Sequence, residues 1–580
     1  MTGTASRPER PATGAYRPRQ VRGQTVYQTP PTRGQRWNAD KYTSSGWGEA
    51  PLASASVSER QPEQARASES ATSVVGEDGQ ATDGRAVEGF ERSAERFWAL
   101  AGWLAGGQSR DLEHSQLEER LLEDGRELIR ALFQDHFDLR EVCERRVDGV
   151  VGADGVPRRN LERAHERELL SVFGAVEVGR LAYRQRGCEN LYPADAQLNL
   201  PAEKHSHGMR RLAALEAPRT SFEDAQAAIC RQTGQRLGKR QLRELTVLAA
   251  GDFKAFYQRR ERTAAEQDDV LVLSCDGKGV VMRQEALRDQ TRKQAQSSQT
   301  KLQTRLSKGE KRARKRIAEV AAVYEVEPAP RTPADILPCE ETERQAQARA
   351  PKAKNKWLSA SVTDDAAQVV SEMFCEADRR DPSRQRAWVA LVDGNNHQID
   401  RIKKEARKRK IKVTIVVDLI HVLEYLWHAV WCFFEEGDPA AERWVQDKAR
   451  EVLEGKAGIV AASIRRKATR LHLDPKQREN ADTCADYLLA KRPYLDYPTA
   501  LSQGWPIATG VIEGACRHLV KDRMDITGAR WGLESAEAVL KLRALITNND
   551  FDQYWSFHLS QERRRVHASR YTLGVIPQPA

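Results

Sequence analysis

No C-x-x-C pair and no group of Cys and His at zinc-ligand spacing occurs in this chain; its nine cysteines, among them Cys143, Cys275 and Cys516, are scattered singly. That pattern excludes a disulfide scaffold and a zinc ribbon. No apolar leader follows the opening MTGTASRPERPATGAYRPRQ, which points to the cytoplasm. Nor is there a clean membrane span. The most apolar segment, Val413 to Phe434, carries Asp418, His421, Glu424 and His428, each costly in hydrocarbon, and reads as a strand running into a buried helix. Gly and Pro are unremarkable at 37 and 24 residues, so collagen-like and wholly disordered readings fail. What the chain has in quantity is charge: 30% Asp, Glu, Lys and Arg, a net charge of +10, mean hydropathy −0.67 and pI about 9.1. Its 580 residues allow roughly two to four domains. The basic balance favours a polyanionic partner, with DNA, a ribosome or a membrane surface all fitting.

Residues 1 to 88 are rich in Pro, Gly, Ser, Thr and Arg without an apolar period, and read as a disordered arm. Seven Arg stand there against Glu9 and Asp40 in the first 40 residues, which suits phosphate contact or a plain solvated tail. From Phe90 the period turns helical. Ser115-x-x-Glu118 is a capping box ahead of Leu117, Leu121, Leu122, Leu128, Ile129, Leu132 and Phe133, and predicts a helical layer over 89–165. A β patch around Val172, Val176, Val178 and Leu181 follows, then LNLPAEKHSHG. Thr220-x-x-Glu223 opens a helix that stops at Thr233-Gly234, and the next helix carries Lys239, Arg240 and Arg243 on its first turns. Two short helices broken by a Gly turn match a helix-turn-helix, although many such hairpins never touch DNA. The patch and this pair form the expected segment 166–262.

From Asp269 the pattern becomes α/β. DVLVLSCDGKGVVMR reads as a buried strand with Asp276 at its end, and a basic helical stretch over 288–316 leads to IAEVAAVYEV, a second strand. KWLSASV is a third. A helix then precedes RAWVALVDGNN, a strand ending at Asp393; the basic helix RIKKEARKRKIK precedes KVTIVVDLIHV, a strand ending at Asp418. Three strands, a helix, a strand, a helix and a strand give a mixed sheet in the order of the RNase H topology. The expected core occupies 263–422 and 505–580, with an all-helical insertion over 423–504 whose Trp427, Trp431 and Trp444 read mainly as core.

Sites in open α/β sheets lie at the carboxyl ends of strands. A lone Asp there is more often a helix N-cap, but Asp276, Asp393 and Asp418 together repel one another unless a cation neutralises them. Two Mg²⁺ ions at such a cluster activate a water or a 3′-hydroxyl and stabilise the leaving oxygen of phosphoryl displacement. A fourth acid, Glu513, lies in GWPIATGVIEGACRHLVKDRMDITGARW, with Arg517 and Lys521 one helical turn on, as an ion-pair ladder or as ligand and DNA contacts.

The segments DGKGVVMR, KRIAEVAAVY, RTPADIL, LVDGNN, VVDLIHVLEYLW and GVIEGACRHLVKDRMDITGARWGLESAEAVLKLRAL resemble the ISKra group of bacterial insertion-sequence transposases, Asp-Asp-Glu enzymes related to the Mutator-like group. The similarity runs from about Leu169 to the C-terminus. It implies an RNase H-like catalytic domain with a helical insertion before the Glu, acting on double-stranded DNA as a homo-oligomer in the cytoplasm, at the nucleoid. By position it assigns Asp276, Asp393 and Glu513 as catalytic metal ligands for two Mg²⁺, with Mn²⁺ as a substitute. Asp418 and His421 match a supporting D-x-x-H signature, and whether Asp393 or Asp418 is the second ligand stays open. The implied function is cleavage and transfer of DNA strands at terminal inverted repeats. The alternatives are a structure-selective nuclease of the same fold and a DNA-binding protein that has lost its chemistry.

Overall fold

The computed structural model describes residues 88–261, 268–297, 314–338 and 350–578. The expected arm, up to residue 87, and the first half of the basic run 311–316 lie outside the described residues. Gly84–Ala580 forms one compact unit.

Helix α1 (Glu91–Ala105) packs against the long α2 (His114–Cys143). The cap of α2 is two residues earlier than the sequence suggested, since Glu113 N–H donates to Gln116 Oε1 and Ser115 is already helical. The expected layer also ends sooner. Residues 160–165, included in the expected helical layer, belong to strand β1 (Asn160–Ser171), which pairs antiparallel with β2 (Gly174–Arg184). A bulge between Glu162 and His165, with Ala164 at φ 60°, absorbs the mismatch. Gln134 on α2 completes the exposed edge of β2, its amide exchanging hydrogen bonds with both backbone groups of Glu177. Leu121, Leu122, Ile129 and Leu132 stay exposed, so only part of the apolar period of α2 faces the core.

Three helices follow around one apolar cluster: α3 (His207–Glu216), α4 (Phe222–Thr233) and α5 (Lys239–Ala249). Ser221 caps α4 by accepting from Asp224 N–H, displacing the expected Thr220/Glu223 box by one residue. Gly234 ends α4 in the left-handed region (φ 72°), as its position predicted. The motif LNLPAEKHSHG is structural. His207 Nε2 bonds the Asn199 carbonyl, and Arg210, fully buried, pairs with Glu562 at 2.9 Å. Burial drives His207 down to about 4, so it sits there neutral.

Helix α6 (Phe253–Arg259) leads to the mixed sheet of β3 (Val270–Val281), β4 (Lys315–Val326), β5 (Ala353–Ser361), β6 (Trp388–Val392) and β7 (Thr414–Val417). Its order is β5-β4-β3-β6-β7; β4 runs antiparallel to both β3 and β5, while β6 and β7 run parallel to β3. Alternation sets the layers. Val270, Val272 and Val280 face one core, and Leu271, Leu273 and Cys275 face another. The second core contains α7 (Ala366–Arg380) and α8 (Asn396–Arg409). The first contains α9 (Leu419–Val430), α10 (Pro439–Leu453), α11 (Ala457–Arg470) and α12 (Glu479–Lys491), the expected helical insertion. Among its Trp residues, Trp427 and Trp444 are half-buried and Trp431 is 43% exposed, so the last is not core. Among the described residues no helix is long and apolar enough to cross a membrane.

The chain closes with α13 (Gly510–Ala515), a π-helical turn at Cys516–Lys521, α14 (Leu533–Thr547) and α15 (Phe551–Val566). Asp252 ties α15 back to the start of α6, accepting from Arg565 at 2.6 and 2.8 Å and meeting His558 Nδ1 at 2.7 Å. Burial works against the Asp252 charge, but the His558 and Arg565 contacts outweigh it and hold the carboxyl at about 2. A carboxyl depressed in the folded state stabilises it above the unfolded value of 3.8 and ceases to do so as pH falls toward 2. Urea unfolding of the wild type should therefore lose on the order of 1–2 kcal/mol from this group between about pH 4 and 2. Asp252→Asn should be less stable at pH 7 and flatter across that range; parallel curves would remove the network from the account.

Candidate functional site

The carboxyl ends of β6 and β7 lie side by side, joined by Asp418 N–H donating to the Val392 carbonyl at 2.8 Å. Asp393 and Asp418 are the residues that follow those ends. Asp276 is placed differently from the sequence expectation. It lies in the middle of β3, which continues antiparallel to β4 as far as Val281. Gly277 and Gly279, read as turn formers, are instead ladder residues whose missing side chains admit the partner strand. A Cβ at either would come 2.8 Å from Ile317 Cγ2 or Lys315 Cδ. Because β6 ends where β3 reaches Asp276, all three acids still border one edge of the parallel part of the sheet.

Asp418 is wholly buried and caps α9, its Oδ1 accepting from Ile420 N–H at 2.9 Å. The N-cap role and a site role thus coexist in one residue. Its Oδ2 accepts from Thr509 Oγ1, and the same hydroxyl lies 3.1 Å from Glu513 Oε1. One hydroxyl carries one proton, so it cannot donate to both carboxylates at once. Burial raises the Asp418 carboxyl to about 6, opposed by the Thr509 and Ile420 hydrogen bonds and reinforced by Glu513. His421, one turn along α9, meets Glu424 through Nδ1 at 2.9 Å. Burial opposes its cation, yet Asp418, Glu424 and Asp393 prevail and the imidazole titrates above its ordinary value.

Ligand atoms of Asp418, His421 and Glu513 all lie within 4.8 Å of one another. Two carboxylates competing for one hydroxyl proton beside an imidazole oriented by a third carboxylate fit a divalent cation, which would relieve the repulsion that burial now aggravates. Asp276 and Asp393 are not members of this group. Asp276 is connected to it through Cys516, whose thiol donates to Oδ2 at 3.3 Å just beyond the Glu513 helix. Asp393 accepts from Asn395 N–H at 2.8 Å, and its carbonyl accepts from Tyr487 of α12 at 3.2 Å. Tyr487 stacks on Tyr425, so the insertion buttresses this turn. Gly394 is required there: at φ 91°, a Cβ would lie 2.7 Å from the Tyr487 oxygen.

Three contributors were not foreseen. Glu319 on β4 pairs with Gly277, and burial raises its carboxyl, with Asp276 adding and Arg288 and Arg401 opposing. An acid within an otherwise apolar buried strand was the available signal. Thr509 and Cys516 carried none, because their roles depend on which strand ends the C-terminal helix meets. The expected ladder of Glu513, Arg517 and Lys521 does not form: the π-helical turn breaks the spacing of four, and Arg517, 78% exposed, lies 3.8 Å from Asp522. Lys239, Arg240 and Arg243 are exposed at the start of α5, as expected, but Lys239 pairs with Glu223 and Arg240 with Glu244, each at 2.8 Å. No protein-family model matches the chain, and no curated protein matches it.

Proposed function

We propose that this chain is a DNA transposase of the Asp-Asp-Glu type, which binds the terminal inverted repeats of an insertion sequence and transfers DNA strands. The observation that carries the reading is the meeting of Glu513, from beyond the helical insertion, with Asp418 and His421 at the carboxyl edge of the sheet. The strand order, with three antiparallel strands followed by two parallel to the first, agrees with an RNase H-like core. The sequence similarity to ISKra-group enzymes supplies the substrate.

In this reading Asp418, His421 and Glu513 hold a divalent cation, with Asp276 and Asp393 bordering it. A cation held there supplies the Lewis acid that activates a water or 3′-hydroxyl and stabilises the leaving oxygen. Thr509 sets the spacing of Asp418 and Glu513, and Glu424 fixes the ring of His421. Helix α8 starts beside Asp393 and presents Lys404, Arg407 and Lys408 to solvent, with Lys412 exposed just beyond its end, a basic surface suited to DNA phosphates.

The test is incubation of the full chain with a duplex carrying the element ends. Cleavage and joining are expected in Mg²⁺ or Mn²⁺, and EDTA should abolish both while leaving DNA binding. Cleavage without joined products would favour the structure-selective nuclease. Undiminished cleavage in EDTA, or none with metal on DNA that the protein binds, overturns the proposal.

A further inference from the structure

Helices α10 and α11 of the insertion border an open cavity of about 530 Å³, a size that accommodates a small ligand. Neither helix carries any of the carboxylates described above. The cavity is lined by Trp444, Lys448, Glu451, Lys467 and Arg470, with Arg450, Asp447 and Glu454 around them. The charges do not cancel locally. Glu451 is taken by Lys448 at 2.7 Å, and Glu454 by Lys456, also at 2.7 Å. Among the described residues Lys467 and Arg470 have no carboxylate within ion-pair distance, which leaves two cations facing the exposed Asp447. Lys467 is also held in place: its ammonium lies 4.0 Å from the Phe434 ring centre, 5.0 Å from Phe433 and 5.6 Å from Trp444. Burial, with the nearby Arg470 and Lys448 charges, lowers its pKa.

We infer that this cavity binds a phosphate group of a nucleotide, free or within a nucleic-acid strand, between Lys467 and Arg470. An ammonium stacked on three rings is pre-organised, so little side-chain entropy is lost when the anion arrives. The guanidinium of Arg470 adds a planar pair of donors that suits phosphate oxygens. The half-buried Trp444 gives the cavity an apolar wall. The inference rests on the cavity and not on strand transfer, and either can fail without the other.

The experiment uses the full chain as wild type, Lys467→Met, Arg470→Gln and Arg466→Gln. Methionine keeps an apolar stem over the rings, and Arg466 is exposed on α11 outside the cavity lining, so its variant controls for general charge loss. Thermal melting checks folding. Calorimetric titration with pyrophosphate and with dAMP, and anisotropy with a labelled duplex over a salt series, give the readouts. Loss of at least about tenfold in pyrophosphate or dAMP affinity in Lys467→Met and Arg470→Gln, but not Arg466→Gln, supports the site. Duplex binding unchanged in those variants makes the occupant a free nucleotide. A salt slope reduced by about 0.9 in Lys467→Met and in Arg470→Gln, but not in Arg466→Gln, makes it a DNA phosphate. Small anions that do not bind, together with duplex affinities that fall equally in Arg470→Gln and Arg466→Gln or not at all, overturn the inference.

Discussion

Glu513→Gln should abolish metal-dependent strand cleavage while leaving the protein folded and bound to DNA. The side chain is exposed, so the isosteric change costs little stability. It removes the one carboxylate common to the trio expected from the sequence and to the group that the fold assembles with Asp418 and His421. The loss should exceed about a hundredfold, the upper range for residues that only support a ligand. Asp393→Asn and Asp418→Asn then discriminate between the two donor sets. A loss matching Glu513→Gln at Asp418, with partial activity at Asp393, assigns the cation to the buried end of β7; the opposite order assigns it to the turn after β6. A Glu513→Gln protein that cleaves at the wild-type rate would end the transposase reading.

Glu325→Gln should be the most destabilising conservative change at the end of the sheet away from Asp276. Glu325 is 3% exposed and lies 3.5 Å from both Arg380 and Arg386, which are themselves buried. Its other oxygen accepts from Asn355 at 2.6 Å. Arg380 keeps Glu376 at 2.8 Å after the change, but the guanidinium of Arg386 keeps a hydrogen bond only to the neutral Asp269 carbonyl among the described residues, with the Asp381 carboxylate acting on it through space. Breaking a buried pair from one side typically costs about 3–5 kcal/mol, because the remaining charge stays desolvated. The denaturation midpoint should fall accordingly, while strand cleavage by the folded fraction is unaffected. A fall of less than about 1 kcal/mol would mean that water reaches these guanidinium groups in solution.

What the sequence made legible follows from the range of the forces involved. Buried strands of β-branched residues, the Gly234 helix stop and the basic first turns of α5 are local, and each was readable in a window of about ten residues. The mixed sheet followed from the order of its elements. The first half of β1 was missed because its alternating charges fit a helix equally well and only pairing with β2 decides between them. Asp276 was assigned to a strand end because Gly277 and Gly279 signal a turn wherever no partner strand needs their small size. The carboxylates themselves were named from the sequence. Which of them converge was not, since that depends on where the C-terminal segment docks after some ninety residues of helical chain.

The π-helical turn at Cys516–Lys521 gives the site a dependence on residue count as well as on residue identity. A π turn is an α turn with one residue added, and the surplus residue rotates everything before it by about 100° relative to everything after it. Glu513 lies before the turn; Leu519 and Val520, anchored in the core, lie within it. Deleting any one residue between 516 and 521 would let the segment relax to a regular helix with every named ligand still encoded. The Glu513 carboxylate would then swing about a quarter-turn away from Asp418. The phase of this helix is thus written in its length, and a comparison that aligns the acids but ignores a one-residue gap here would pass a disarmed chain as an intact one.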